Sequence, residues 1–129
     1  MSVCLDSWAI LAWLDGEEPA VTRVNAVMNS RPVVSWINLV EVYYRVERDH
    51  GRDAADDTMA SLRSCVGPDL PGTVRMIEAA RLKARASIAL GDCFAAVTAA
   101  AHDLRLFTGD PELLELPDAP CPLEDLRAA

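Results

Sequence analysis

The sequence predicts an α/β domain with a mostly parallel sheet and helices on both faces. Short apolar runs alternate with longer stretches of helical periodicity along the chain. This alternation favours parallel strands, because two parallel neighbours need a crossover connection that is usually a helix. The length of 129 residues suggests one domain over 1–129, large enough to bury a real core.

Composition and charge narrow the class of protein. Hydrophobic residues make up 51% and charged residues 25% of the chain, which is typical of a globular protein. No apolar run approaches the ~18 residues of a membrane helix and the N-terminus has no basic lead-in, so we expect a cytoplasmic protein without a membrane partner. The net charge of −8 argues against a nonspecific nucleic-acid coat, and direct DNA binding is not expected. An enzyme that holds nucleic acid through bound metal remains compatible with this charge.

The first half of the chain contains two predicted strands and four predicted helices. Asp6 and Ser7 have the character of helix caps after the first strand. The predicted order is a strand at 3–5, a helix from Asp6 to Gly16, a helix from Pro19 to about 29, a strand at 32–35, a helix from Trp36 to Gly51 and a helix at 53–65.

The second half follows the same alternation. A loop at 66–72 has room for a short edge strand and precedes a helix at 73–86. Gly91 breaks the chain, and Asp92 is the predicted cap of the helix "CFAAVTAAAH". An apolar strand at 104–107 then leads to Asp110, and the proline-rich tail permits only a short edge strand. Nucleotide-binding loops are not supported, because neither GxGxxG nor GxxxxGK[ST] occurs.

Asp92 and Asp110 lie 18 positions apart but should meet at one edge of the sheet. A helix of ~11 residues descends ~16 Å, and a strand of ~5 residues climbs ~16 Å. Asp6 ends the first strand and therefore belongs to the same edge. Ligands of open parallel sheets bind beyond the C-terminal ends of the strands.

Glu41 is the fourth acid that can reach this edge. It lies about a turn and a half into its helix, and its side chain points back toward the helix N-terminus. Taken singly, the acids have simpler explanations: Asp6 and Asp92 as helix caps, Glu41 as an exposed residue and Asp110 as the start of a turn. Taken together, they occupy equivalent places in the topology. Clustered acids repel one another, and a hard divalent cation such as Mg²⁺ or Mn²⁺ removes that repulsion and can activate water for phosphodiester hydrolysis.

Three segments, "LDSWAILAWL", "NLVEVYYR" and "LGDCFAAVTAAAHDLRLFTGD", resemble the PIN-domain family, most closely its VapC-like ribonuclease toxins. The resemblance runs nearly the full chain. It implies a three-layer α/β/α domain with about five parallel strands. It also implies an endoribonuclease that depends on Mg²⁺ or Mn²⁺, a homodimer, and inhibition by a cognate antitoxin.

The resemblance also assigns residues. The family's acidic quartet matches Asp6, Glu41, Asp92 and Asp110. Thr108 matches the hydroxyl residue of the TxD segment, while Asn38 and Ser7 match small polar residues near the acids. Cys93 stands where the family usually has Ala, and Leu113 and Leu114 stand where an aromatic residue is common.

The predicted reaction is metal-assisted hydrolysis of an RNA phosphodiester. Asp6, Asp92 and Asp110 would bind metal, and Glu41 would be a ligand or would orient the attacking water. Candidates for contacts to the RNA backbone are Arg45, Arg48, Arg81 and Arg85; a solvated helix face explains these arginines equally well.

The sequence disfavours two other classes of protein that also use an acidic site. A signalling receiver module requires a lysine at the end of one of its last strands, whereas Lys83, the single lysine, lies inside a predicted helix. A haloacid-type phosphatase is disfavoured because no second acid follows Asp6 two residues on. A catalytically silent PIN fold that serves as a binding or scaffold protein remains the alternative.

Overall fold

The computed structural model describes residues 2–128. Its five strands form one sheet in the order β3-β2-β1-β4-β5, and all four neighbouring pairs are parallel. The strands are β1 (Cys4–Leu5), β2 (Val33–Ser35), β3 (Gly67–Asp69), β4 (Leu106–Thr108) and β5 (Leu123–Asp125). The predicted parallel sheet is confirmed, and the two weakly signalled strands, β3 and β5, lie at its two edges.

Helices cover both faces of the sheet. They are α1 (Ser7–Leu14), α2 (Ala20–Met28), α3 (Trp36–His50), α4 (Arg52–Cys65), α5 (Thr73–Arg85), α6 (Leu90–Ala101) and α7 (Pro111–Leu114). Within residues 2–128, no helix combines the length and apolarity that a membrane span requires.

The core has two halves, one on each face, as period-2 alternation along a strand requires. Leu5 and Phe107 pack in the half that α1 to α4 cover. Their strand neighbours Cys4 and Leu106 pack in the other half, against α5 and α6. The predicted α/β/α layering is therefore confirmed.

The neighbouring strands β1 and β4 bring the polar residues that follow their apolar runs to one edge of the sheet. β1 pairs with β4 so that Leu5 lies beside Phe107. The next residues along each strand, Asp6 and Thr108, are consequently neighbours at the C-terminal edge of the sheet.

Two predictions near this edge are wrong. Asp92 is not a helix cap: α6 starts at Leu90 with Ala89 as its N-cap, which places Asp92 in the first turn. The break expected at Gly91 is absent, because this glycine is helical and makes room for Glu41. A further helix, α7, was not predicted; Asp110 caps it and Pro111 occupies its start, where the missing N–H costs nothing.

Candidate functional site

Asp6 is a buried anchor at the end of β1, with 1% of its surface exposed. Its Oδ1 accepts a hydrogen bond from the Ala9 amide at 2.8 Å, which caps α1, and its Oδ2 accepts one from the Thr108 hydroxyl. Burial raises the pKa of Asp6 to about 7, although both hydrogen bonds act to lower it. Asp6 therefore ties the start of α1 to the end of β4.

Asp92 and Asp110 form the closest acidic group, together with Glu112. One carboxylate oxygen of each lies within 4.8 Å of the other two. Asp92 is buried, and its Oδ2 has no hydrogen-bond partner among the described residues. Burial, and then the neighbouring charge of Asp110, raise the pKa of Asp92 to about 8. The predicted approach of Asp92 to Asp110 is thus present in the structure.

Sequence reasoning missed Glu112. It follows Asp110 by two residues in α7, where the sequence predicts only a turn before Pro111. The available signal was the pattern Asp110-Pro111-Glu112, an N-cap followed by proline and an acid in the first turn.

Glu41 is half-buried and held at one oxygen. Its Oε1 accepts hydrogen bonds from the Ser7 hydroxyl at 3.2 Å and from Asn38 Nδ2 at 3.0 Å. Asn38 is fully buried and its Nδ2 also donates to the Gly91 carbonyl at 3.1 Å. A Cβ on Gly91 would overlap the Glu41 carboxylate. The glycine therefore lets α6 approach the acid closely.

A cleft of about 330 Å³ opens onto these groups. Ser7, Glu41, Asp92 and Asp110 line it, and Trp8 and Arg45 are part of its wall. A Cβ on Gly109 would overlap the Trp8 ring, so a glycine before Asp110 allows the indole to pack against this turn. The buried Asp6 supports the cleft from behind and does not line it.

Thr108 completes the hydrogen bonding of the turn. Its hydroxyl donates to Asp6 and accepts a hydrogen bond from the Asp110 amide at 3.0 Å. One side chain thus fixes the positions of two acids that come from different strands.

The donor set fits a divalent cation. Oxygen ligands from several carboxylates are what Mg²⁺ and Mn²⁺ prefer. Within residues 2–128, no Lys, Arg or His forms an ion pair with any of the five acids Asp6, Glu41, Asp92, Asp110 and Glu112. The unpartnered Asp92 Oδ2 is a buried carboxyl oxygen of the kind that a metal ion satisfies.

Of the arginines named as RNA contacts, Arg45 alone lines this cleft. Arg48 pairs with Asp49 at 3.1 Å, and Arg85 donates to the Asp118 carbonyl at 3.1 Å. Arg81 lies on the exposed side of α5. Arg45 therefore becomes the best-placed candidate.

Comparison with protein-family models matches residues 3–119 to the PIN domain. The chain belongs to the PIN domain family. A comparison with curated protein sequences gives no match.

Solved structures show the same PIN fold. A chain of the DNA-bound VapBC complex from Salmonella typhimurium is 20% identical, with a TM-score of 0.77 over 98% of each chain. A chain of VapBC2 from Rickettsia felis, bound to a promoter DNA fragment, is 16% identical, with a TM-score of 0.76 over 97% of this chain and 98% of that one. VapBC-1 from nontypeable Haemophilus influenzae gives 20% identity and a TM-score of 0.74 over 99% and 100%. The similarity to VapC-like proteins noted in the sequence thus extends to the fold, while the matching of single residues to the acidic quartet stays a prediction.

Proposed function

We propose that this PIN-domain protein is an endoribonuclease dependent on Mg²⁺ or Mn²⁺ and the toxin of a toxin–antitoxin pair. The observation that carries the proposal is the approach of the Asp92, Asp110 and Glu112 oxygens to within 4.8 Å, together with a buried Asp92 oxygen that has no hydrogen-bond partner within residues 2–128. Such a group of acids is costly without a cation. Membership of the PIN family and the likeness to VapBC structures support the same function.

In this proposal, Asp92 and Asp110 hold the cation. When bound, a divalent ion supplies an activated water and neutralises charge on the phosphodiester. Glu41 positions and deprotonates the attacking water with the oxygen that Ser7 and Asn38 leave free. Those two hydrogen bonds fix the carboxylate so that little reorientation is needed during the reaction.

Asp6 acts mainly by positioning in this account. Its two oxygens are occupied by the Ala9 amide and the Thr108 hydroxyl. Through Thr108 it sets the place of Asp110, and its charge adds to the negative potential that attracts a cation.

RNA is the proposed substrate, and Arg45 is proposed to contact a phosphate of its backbone. Arg45 is the one cationic side chain among the described residues that line the acidic cleft. A guanidinium suits bidentate contact to a phosphate. It would hold the backbone next to the scissile bond.

The proposed partners are a cognate antitoxin and a second copy of the chain. The three solved structures described above contain VapBC, and two of them are bound to DNA. Exposed apolar side chains on α3 and α5, among them Val40, Tyr44 and Val74, are typical of surfaces that bind another protein. Because this chain has a net charge of −8, we assign any contact with DNA to the antitoxin. The proposed location is the cytoplasm.

Cleavage of total cellular RNA by the purified protein tests this function. We expect discrete cuts with Mg²⁺ or Mn²⁺ that disappear with EDTA and in Asp110→Asn and Asp6→Asn. Asp103→Asn, a change in an exposed turn, is the matched control and should cut normally. Absence of cutting by folded, partner-free protein with both metals would contradict the enzyme and favour a scaffold role.

A further inference from the structure

Glu112 is placed to act at the same centre as Asp92 and Asp110. These three acids, and not the predicted quartet, form the group whose oxygens lie within 4.8 Å of one another. Asp6 has both oxygens engaged in hydrogen bonds, and Glu41 has one oxygen engaged. The carboxylate oxygens best arranged to share one cation therefore come from Asp92, Asp110 and Glu112.

The unpartnered oxygen of Asp92 points independently to a ligand. Asp92 is 6% exposed, and its Oδ2 is buried without a hydrogen-bond partner among the described residues. When Asp92 is ionised, the ionised carboxylates of Glu112 and Asp110 cannot satisfy this oxygen, because they only accept hydrogen bonds. A cation between the three carboxylates would satisfy all of them.

The short helix α7 fixes Glu112 relative to Asp110. The Glu112 amide donates to Asp110 Oδ1 at 2.9 Å. Leu113, the next residue, is fully buried and anchors α7 in the core. The backbone of Glu112 is therefore held beside the acids even though its side chain is exposed.

We propose that Glu112 is a further ligand of the divalent cation, completing a centre with Asp92 and Asp110. The inference rests on the proposed metal-dependent function and adds a residue to it. Glu41 then remains free to orient water, and Asp6 remains a positioning residue.

Mn²⁺ titration followed by electron paramagnetic resonance of the free ion tests the proposal. Glu112→Gln should weaken Mn²⁺ binding at least about tenfold, because even the loss of an outer-shell partner costs a metal site 10–100-fold. Glu115→Gln is the matched control, because Glu115 is exposed and is the C-cap of the same helix. Glu112 and Glu115 also line one surface cavity beside α7, which is separate from the acidic cleft. The control substitution removes the same charge and should leave the affinity within about twofold.

Equal Mn²⁺ affinities for wild type and Glu112→Gln would overturn the inference. An equal loss of Mn²⁺ affinity in Glu112→Gln and Glu115→Gln would also overturn it, because that result would indicate only a general effect of charge. If wild type binds Mn²⁺ and cuts RNA while Glu112→Gln binds as tightly, the proposed function stands and the role of Glu112 fails. A wild type that binds no Mn²⁺ overturns both. Thermal unfolding in EDTA, expected to be alike for the three proteins, verifies that each is folded.

Discussion

The carboxylates of Asp92 and Asp110 approach within 4.8 Å although most of α6 and all of β4 lie between them in the chain. α6 runs down from the edge where Asp92 lies, and β4 returns to that edge and delivers Asp110. Two buried or half-buried acids are thereby placed together with no basic partner among the described residues. Their mutual repulsion is a cost of folding that a bound cation would remove.

Asp92→Asn should stabilise the metal-free protein at pH 9, because it removes a buried negative charge beside Asp110. We expect a gain of about 1–2 kcal/mol, or several degrees in Tm for a domain of this size, measured by thermal unfolding in EDTA. The same variant should lose the rise in Tm that Mg²⁺ gives to wild type. Asp103→Asn should match wild type in both respects, and a lower Tm for Asp92→Asn in EDTA would contradict the account.

The metal-free protein should become less stable as the pH rises from 5 to 8. The pKa values of Asp6 and Asp92 are raised to about 7 and about 8 in the folded chain, above the value of about 4 expected when unfolded. The folded state therefore binds more protons in this range, and stability falls with pH by up to about 1.4 kcal/mol per unit for each carboxyl. Urea unfolding in EDTA at a series of pH values measures the slope. Saturating Mg²⁺ should flatten it, and a stability that rises from pH 5 to 8 without metal would contradict the account.

Gly91→Ala should reduce RNA cleavage more than it changes stability. A Cβ at this position would overlap the Glu41 carboxylate, so that side chain must leave its hydrogen bonds to Ser7 and Asn38. Alanine itself favours a helix over glycine by up to about 1 kcal/mol, which offsets part of the strain. We expect at least a tenfold loss in kcat with Tm within a few degrees. Gly72→Ala, where the added Cβ meets open space, is the control; wild-type kcat in Gly91→Ala would show that the position of Glu41 is unimportant.

Arg45→Ala should raise KM for RNA roughly tenfold with little change in kcat. A charge-assisted hydrogen bond to phosphate contributes about 1.5–3 kcal/mol. The slope of the logarithm of RNA affinity against the logarithm of salt concentration should also become shallower by about one. Steady-state cleavage of a short RNA measures both constants. Arg48→Ala, on the same helix but paired with Asp49, should leave KM unchanged. Equal effects of the two substitutions would indicate general electrostatics rather than a contact in the cleft.

Much of the fold was predictable because local signals agreed with it. The apolar runs before Asp6 and Thr108 became the central strands, and Asp6 is a helix cap as its position suggests. The edge strands β3 and β5 were signalled weakly. β3 contains Gly67 and Pro68, which are poor strand formers, and β5 is only three residues long and follows directly after Pro122.

The details of the site were less predictable because they depend on contacts between distant segments. The sequence predicts a break at Gly91, whereas in the structure the missing side chain lets Glu41 pack against α6. Glu112 was not predicted as a site residue, because the helix α7 that carries it has only four residues and is too short to give a periodic pattern. That three acids approach so closely follows from tertiary packing rather than from any one segment.

The central claim is that these acids form a divalent-metal centre, and anomalous diffraction from crystals grown with Mn²⁺ tests it most directly. The account predicts a manganese peak within about 2–2.5 Å of oxygens from Asp92 and Asp110, absent in crystals of Asp92→Asn grown alike. The claim would be contradicted if well-ordered wild-type crystals at saturating Mn²⁺ showed no manganese peak at these residues, or showed one only elsewhere on the surface.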